Sequence, residues 1–130
     1  MPITWTVSHS ARLVVAVGKG EISATDVLLY LDEITRAGAM PFRKIFDLSG
    51  VVATMPTTDV RLIGMRVVAL AGGKPTGPLA IVVASDAIHE LAKVFEATAT
   101  TKRPLQIFRD VHAARAWLDK IAPVPTPISN

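Results

Sequence analysis

Ile3-Thr4-Trp5-Thr6-Val7 alternates apolar and polar residues, the period-two pattern of a strand with one buried face. Ser8, His9 and Ser10 interrupt the run as a turn. Leu13 to Val17 is apolar and largely β-branched, so a second strand follows, and the short turn predicts an antiparallel hairpin. Gly18 and Gly20 mark a bend or bulge at its end. The period then changes. Val27, Leu31 and Ile34 recur at helical spacing, with Leu28 beside them. Ser23-x-x-Asp26 has the form of a capping box, in which each residue's side chain accepts a bond from the other's amide. Gly38 and Pro41 end this helix.

The alternation of periods continues down the chain. Ile45 to Leu48 predicts a third strand, Ser49-Gly50 a turn, and Val51 to Met55 an irregular connection. Pro56, Thr57, Thr58 and Asp59 carry helix-start signals, with Thr58 or Thr57 expected to cap. This second helix runs to about Ala71 and closes at Gly72-Gly73. Leu79 to Ala84 is an unbroken apolar run, the mark of a strand buried on both faces. Ser85 or Asp86 caps a third helix with Ile88, Leu91, Ala92 and Phe95 inward. Leu105 to Phe108 is the last strand. Asp110 caps a fourth helix with Ala113, Ala114, Trp117, Leu118 and Ile121 inward. The order is ββαβαβαβα, which predicts an α/β domain over 1–122. It has a five-stranded mixed sheet, antiparallel at the N-terminal hairpin and parallel elsewhere, with four helices. Three prolines within 123–130 predict a disordered tail.

Composition narrows the function. Half of the 130 residues are hydrophobic, enough to cover both faces of a sheet and still supply an interface or an apolar ligand site. The 14 Lys and Arg outnumber 11 Asp and Glu only slightly and are scattered singly, with 5% aromatic residues, so a nucleic-acid partner is not expected. No cysteine is present, which removes disulfides, thiolate metal sites and cysteine catalysis. No apolar run approaches the roughly 20 residues of a membrane span. A cytoplasmic location is the expectation.

Candidate chemistry is sparse. Gly72-Gly73-Lys74-Pro75-Thr76-Gly77 follows a helix and leads into a strand, the reverse of a phosphate loop, and reads as a connector. His9, His89 and His112 have no metal-ligand spacing, so neither a metal nor another cofactor is implied. In a parallel sheet the strand carboxyl ends and the helix starts share one edge. That edge would gather Asp47, Ser49, Thr57, Thr58, Asp59, Ser85, Asp86, His89, Arg109, Asp110 and His112. Most are residue types that helix caps require. No nucleophile is tied to a base and an orienting acid, so no catalytic residue is assigned.

The second helix carries more. Val60, Ile63, Val67, Leu70 and Ala71 share one side, enough to dock it on the sheet. The opposite side carries Leu62, Met65, Val68 and Ala69, flanked by Arg61 and Arg66. This apolar outer strip predicts contact with a second copy of the chain or with an apolar ligand.

Short motifs add a resemblance. Gly20-Glu21-Ile22 and Thr25-Asp26 enter the first helix, and Phe46-Asp47-Leu48-Ser49-Gly50-Val51 closes a strand. Gln106-Ile107-Phe108 precedes Ala113-Ala114-Arg115-Ala116-Trp117-Leu118. Together they resemble the STAS fold of anti-sigma factor antagonists, and more closely the SpoIIAA-like family. The resemblance implies a non-catalytic regulatory module that binds a protein partner. In such antagonists a phosphorylatable serine opens the second helix. The matching place here is Pro56-Thr57-Thr58, which makes Thr57 or Thr58 a candidate switch, although the acidic residue, the serine and the glycine of that motif are replaced. SpoIIAA-like proteins are also similar to CRAL-TRIO lipid-transfer domains, which implies an apolar small molecule as the alternative ligand.

Overall fold

The computed structural model describes residues 2–122, so the expected tail over 123–130 lies outside the described residues. Strands β1 (Ile3–Ser8) and β2 (Leu13–Gly20) form the expected antiparallel hairpin, with Ile3 opposite Gly18 and Ser8 opposite Leu13. Ser8 Oγ accepts from the Ala11 amide at 3.1 Å, and the turn closes with Arg12 in the left-handed region at φ 49°. Gly18 carries the register shift between Val17 and Lys19. A side chain there would press on Leu48 and Val51 at 3.2 Å.

Helix α1 (Ala24–Arg36) leads to β3 (Arg43–Val51), α2 (Thr57–Ala71) to β4 (Leu79–Val82), and α3 (Asp86–Thr98) to β5 (Leu105–Phe108), before α4 (Val111–Ile121) ends the described chain. The sheet order is β1-β2-β3-β4-β5, with every pair after the hairpin parallel. Each crossover adds its strand on the same side of the last one. Right-handed crossovers, the rule for such connections, then place α1, α2 and α3 on one face. The main core lies beneath them and includes Val14, Ala16, Leu79 and Ile81 from the sheet. A smaller core of Leu13, Ile45, Ala80, Val82, Ala114 and Leu118 lies on the other face, under α4 alone. β4 is buried throughout, as its apolar run predicts.

Several details differ from the sequence reading: β2 continues through Gly20, β4 stops at Val82, two residues short of the expected run, and β3 and α4 change as well. β3 begins at Arg43, ahead of Ile45, and runs through Val51. Arg43 and Lys44 pair with Leu13 and Val14 of β2, so their polar side chains had hidden two strand positions. The inward stripe of α4 is also narrower than expected. Ala114 and Leu118 are buried and Trp117 packs half-buried against Phe108 at 5.6 Å, whereas Ala113 is exposed and Ile121 is 40% exposed. Ala113 lies about 100° round the helix from Ala114, which turns it off a contact one residue wide. Arg43 secures this helix by donating from Nη1 to Asp119 at 2.8 Å and to the Ala122 carbonyl at 3.2 Å.

α2 and α3 meet at Gly64. A β-carbon there would lie 2.2 Å from Thr98 Oγ1 and 2.9 Å from Thr98 Cβ. Thr98 Oγ1 donates to the Val94 and Phe95 carbonyls, so it does not simply swing away. Gly64→Ala is expected to destabilise by about 1–2 kcal/mol, because overpacking outweighs the gain in helix propensity. Adding Thr98→Ala removes the hydroxyl contact but keeps the β-carbon at 2.9 Å, so it should recover only part of the loss. Urea unfolding of the two single variants and the double variant checks the coupling.

Candidate functional site

Side chains alternate along β3. Arg43 and Ile45 face α4, while Lys44, Phe46 and Leu48 face α1–α3. Alternation thus carries Lys44 into the main core, where it is 3% exposed. Its ammonium has three donors, and three backbone carbonyls receive them. Nζ donates to Met40 at 2.5 Å, to Phe42 at 2.7 Å, and to Thr76. Met40 and Phe42 belong to the α1–β3 connector and Thr76 to the α2–β4 connector. Gly77 makes this convergence possible. Its φ is +77°, and a β-carbon would meet the Phe42 carbonyl oxygen at 2.2 Å. Burial and the neighbouring Arg103 guanidinium pull the Lys44 ammonium down to about 7.

The polar end extends sideways. Thr76 is fully buried, and its hydroxyl is 2.9 Å from that of Thr101. The Thr101 carbonyl accepts from the Arg103 amide at 2.9 Å, which fixes the chain just ahead of β5. Arg103 is partly buried, with its guanidinium 6.0 Å from the Phe95 ring centre. Its Nε and one terminal nitrogen are buried with no hydrogen-bond partner among the described residues. Burial pulls this guanidinium down to about 10, so it remains charged at neutral pH. Tyr30, from the middle of α1, completes the group. Its ring packs edge-on against Trp5 at 5.4 Å and Phe46 at 5.2 Å. Its hydroxyl is buried without a partner among the described residues, and burial holds the phenol well above its ordinary range.

Lys44, Arg103 and Tyr30 all line one cavity of about 120 Å³ between the sheet and α1–α3. The remaining walls are apolar, with Phe46, Leu79 and Ile81 on the sheet, Ile63 and Val67 on α2, and Ala92 on α3 among them. Ala53 and Met55 also line it, so the irregular stretch before α2 folds over its far end. No Asp or Glu among the described residues lines it. Such a chamber can take up a small apolar body and offer cationic and phenolic donors at one end.

This end lies at the amino ends of β3, β4 and β5, opposite the edge where the sequence reading gathers its candidates. At that carboxyl edge the polar residues serve the backbone. Ser23 and Asp26 form the capping box, Ser85 caps α3 at 3.2 Å and Asp110 caps α4 at 3.1 Å. Asp47 accepts from the amide and hydroxyl of Ser49, and Arg109 pairs with Asp86 at 2.7 Å. Thr57 and Thr58 do not cap α2. The helix starts one residue earlier than a threonine cap requires, so Pro56 takes the flanking position and only its carbonyl serves, accepting from Asp59 at 2.9 Å. Both threonines are exposed.

The two sides of α2 fall as the pattern predicts. Val60, Ile63 and Val67 are buried and line the cavity, while Leu62 is 54%, Met65 62% and Val68 38% exposed, and Ala69 is exposed too. Arg61 is exposed beside them, and Arg66 reaches Asp32 of α1 at 2.9 Å. No helix among the described residues is long and apolar enough to cross a membrane. Lys44 could have been found by extending the Phe46-Leu48 alternation back two residues, and Tyr30 by its place three after Val27. Arg103 precedes a strand and carries no such signal.

A buried lysine links stability to pH. Between about 7 and its ordinary value of 10.5, the unfolded chain holds a proton on Lys44 that the folded chain does not. Stability therefore rises with pH across this window. Arg103, at about 10, and Tyr30, held higher when folded, contribute little below pH 9.5. From pH 7 to 9.5 the gain is expected to be on the order of 2 kcal/mol. Urea unfolding at both pH values measures it, and Lys44→Met should flatten the difference.

The chain matches no protein-family model, no curated protein and no solved structure.

Proposed function

We propose that this chain is a non-catalytic binding module that holds a small, largely apolar ligand between its sheet and α1–α3. The observation that carries the reading is the cavity of about 120 Å³ lined almost wholly by apolar side chains. Cavities of roughly 150 Å³ with such walls take up benzene-sized bodies. A packed core of this size has few voids larger than a water molecule, which supports reading a chamber this large as a site. The element order and the short motifs support a STAS-like fold of the SpoIIAA-like kind, for which an apolar ligand is one implied role. At the carboxyl edge Asp47, Ser85 and Asp110 are spent on a turn and two caps, which supports a role without catalysis.

Ala92 offers the test. It lines the cavity from α3, and Ala92→Leu adds carbon to the open space. Hexan-1-ol is expected to bind the native protein in calorimetry and to lose at least tenfold in affinity to this variant. The variant should keep its stability or gain about 1 kcal/mol from the filled space. Undiminished binding would place the alcohol elsewhere and end the proposal.

The outer face of α2 favours a second reading, a protein-interaction module that pairs with its own copy. Leu62, Met65 and Val68 present a contiguous apolar surface that the fold does not use. A switch at the exposed Thr57 or Thr58 belongs to this reading. Met65→Glu should convert a dimer to a monomer in sizing chromatography without changing the urea midpoint. A native protein that already elutes as a monomer refutes it.

A further inference from the structure

We infer that the ligand of the cavity is an apolar monocarboxylate whose acid group seats against Arg103, with the Tyr30 hydroxyl as a further donor. The inference rests on the cavity reading above and assigns it a charge.

Charge accounting leads to it. Lys44 and Arg103 are the charged residues of the lining, both are cations, and no acid faces them there. Lys44 spends its donors on the Met40, Phe42 and Thr76 carbonyls. Those dipoles solvate the ammonium but leave its charge uncancelled. Arg103 is less well served. Its Nε and one terminal nitrogen are buried with no partner, and the Phe95 ring is its aromatic neighbour. Glu96 borders a surface depression that Arg103 also touches, yet it gives neither nitrogen a hydrogen bond. Lys44, Tyr30 and Arg103 all line this one cavity. The Tyr30 hydroxyl is likewise buried and free to donate.

A buried cation without a counter-charge is strongly disfavoured, and Arg103, unlike Lys44, keeps its full charge at neutral pH. A cationic ligand would add repulsion. A neutral one would leave the guanidinium unpaired in an apolar space. An anion avoids both. The fork of the guanidinium matches the two oxygens of a carboxylate, and a phenol O–H can complete their coordination. The apolar walls then require that the rest of the molecule be hydrocarbon, and a volume near 120 Å³ limits it to a short chain or a single ring.

Three probes with one six-carbon chain and different heads separate the possibilities: hexanoate, hexan-1-ol and hexylamine, titrated into the full chain by calorimetry at pH 7. Hexanoate is expected to bind at least tenfold more tightly than hexan-1-ol, and hexylamine most weakly. Arg103→Gln should abolish the preference, so that this variant binds hexanoate no more tightly than it binds hexan-1-ol. Tyr30→Phe should weaken hexanoate by a smaller factor and serves if Arg103→Gln does not fold. Equal or tighter binding of hexan-1-ol to the native protein overturns the carboxylate inference and leaves the apolar cavity standing. Binding of none of the three overturns both. A tenfold preference for hexanoate that survives in Arg103→Gln removes Arg103 from the role.

Discussion

A lysine placed inside a hydrocarbon core dictates how the lower edge of this domain is built. The Lys44 ammonium needs three acceptors within reach, and β3 itself cannot supply them because its carbonyls are committed to the sheet. The connectors before β3 and before β4 must therefore bend inward and offer Met40, Phe42 and Thr76. Gly77 follows from this demand, since the two connectors lie too close for any side chain between them. Thr76 then passes the arrangement to Thr101, and through it to the segment that carries Arg103. One buried charge so orders three successive loop regions that are far apart along the chain.

The same strand anchors both layers. Arg43 faces α4 and holds Asp119 and the Ala122 carbonyl, while its neighbour Lys44 faces the larger core. The Arg43 guanidinium keeps the Asp119 carboxyl below its ordinary range. α4 needs such a tie because its apolar stripe is reduced to Ala114, Leu118 and part of Trp117. Two adjacent cations at the head of a central strand are thus divided by the pleat into different duties. One fastens a helix, and the other closes the polar end of a chamber.

The architecture was legible because it rests on periodicity. Alternation marked β1, the unbroken apolar run marked β4, and Ser23, Ser85 and Asp110 announced their helices through the chemistry of capping. The two-sided character of α2 could also be read, since its buried and exposed positions follow directly from 100° per residue. The polar end of the cavity could not. Lysine and arginine are read as solvent-facing unless a strand or helix register forces them inside, and that register begins at Arg43 only once the pairing with β2 is known. Attention to the carboxyl edge of the sheet also pointed away from the amino edge, where Lys44 and Arg103 meet. Thr57 failed as a cap for a local reason, because Pro56 takes the flanking position and has no acceptor in its side chain.

The contact of Gly64 with Thr98 lies outside the chamber, yet it sets how closely the two helices above it approach. α2 lends the chamber Val60, Ile63 and Val67, and α3 lends it Ile88, Leu91 and Ala92. The span between those walls is thus governed by a residue that no guest molecule would touch. Selection for a bulkier or slimmer guest would have an economical route here: exchange the spacer between the helices and leave every lining side chain as it is. Comparison of wall residues alone would then miss a change in ligand preference among descendants of this fold.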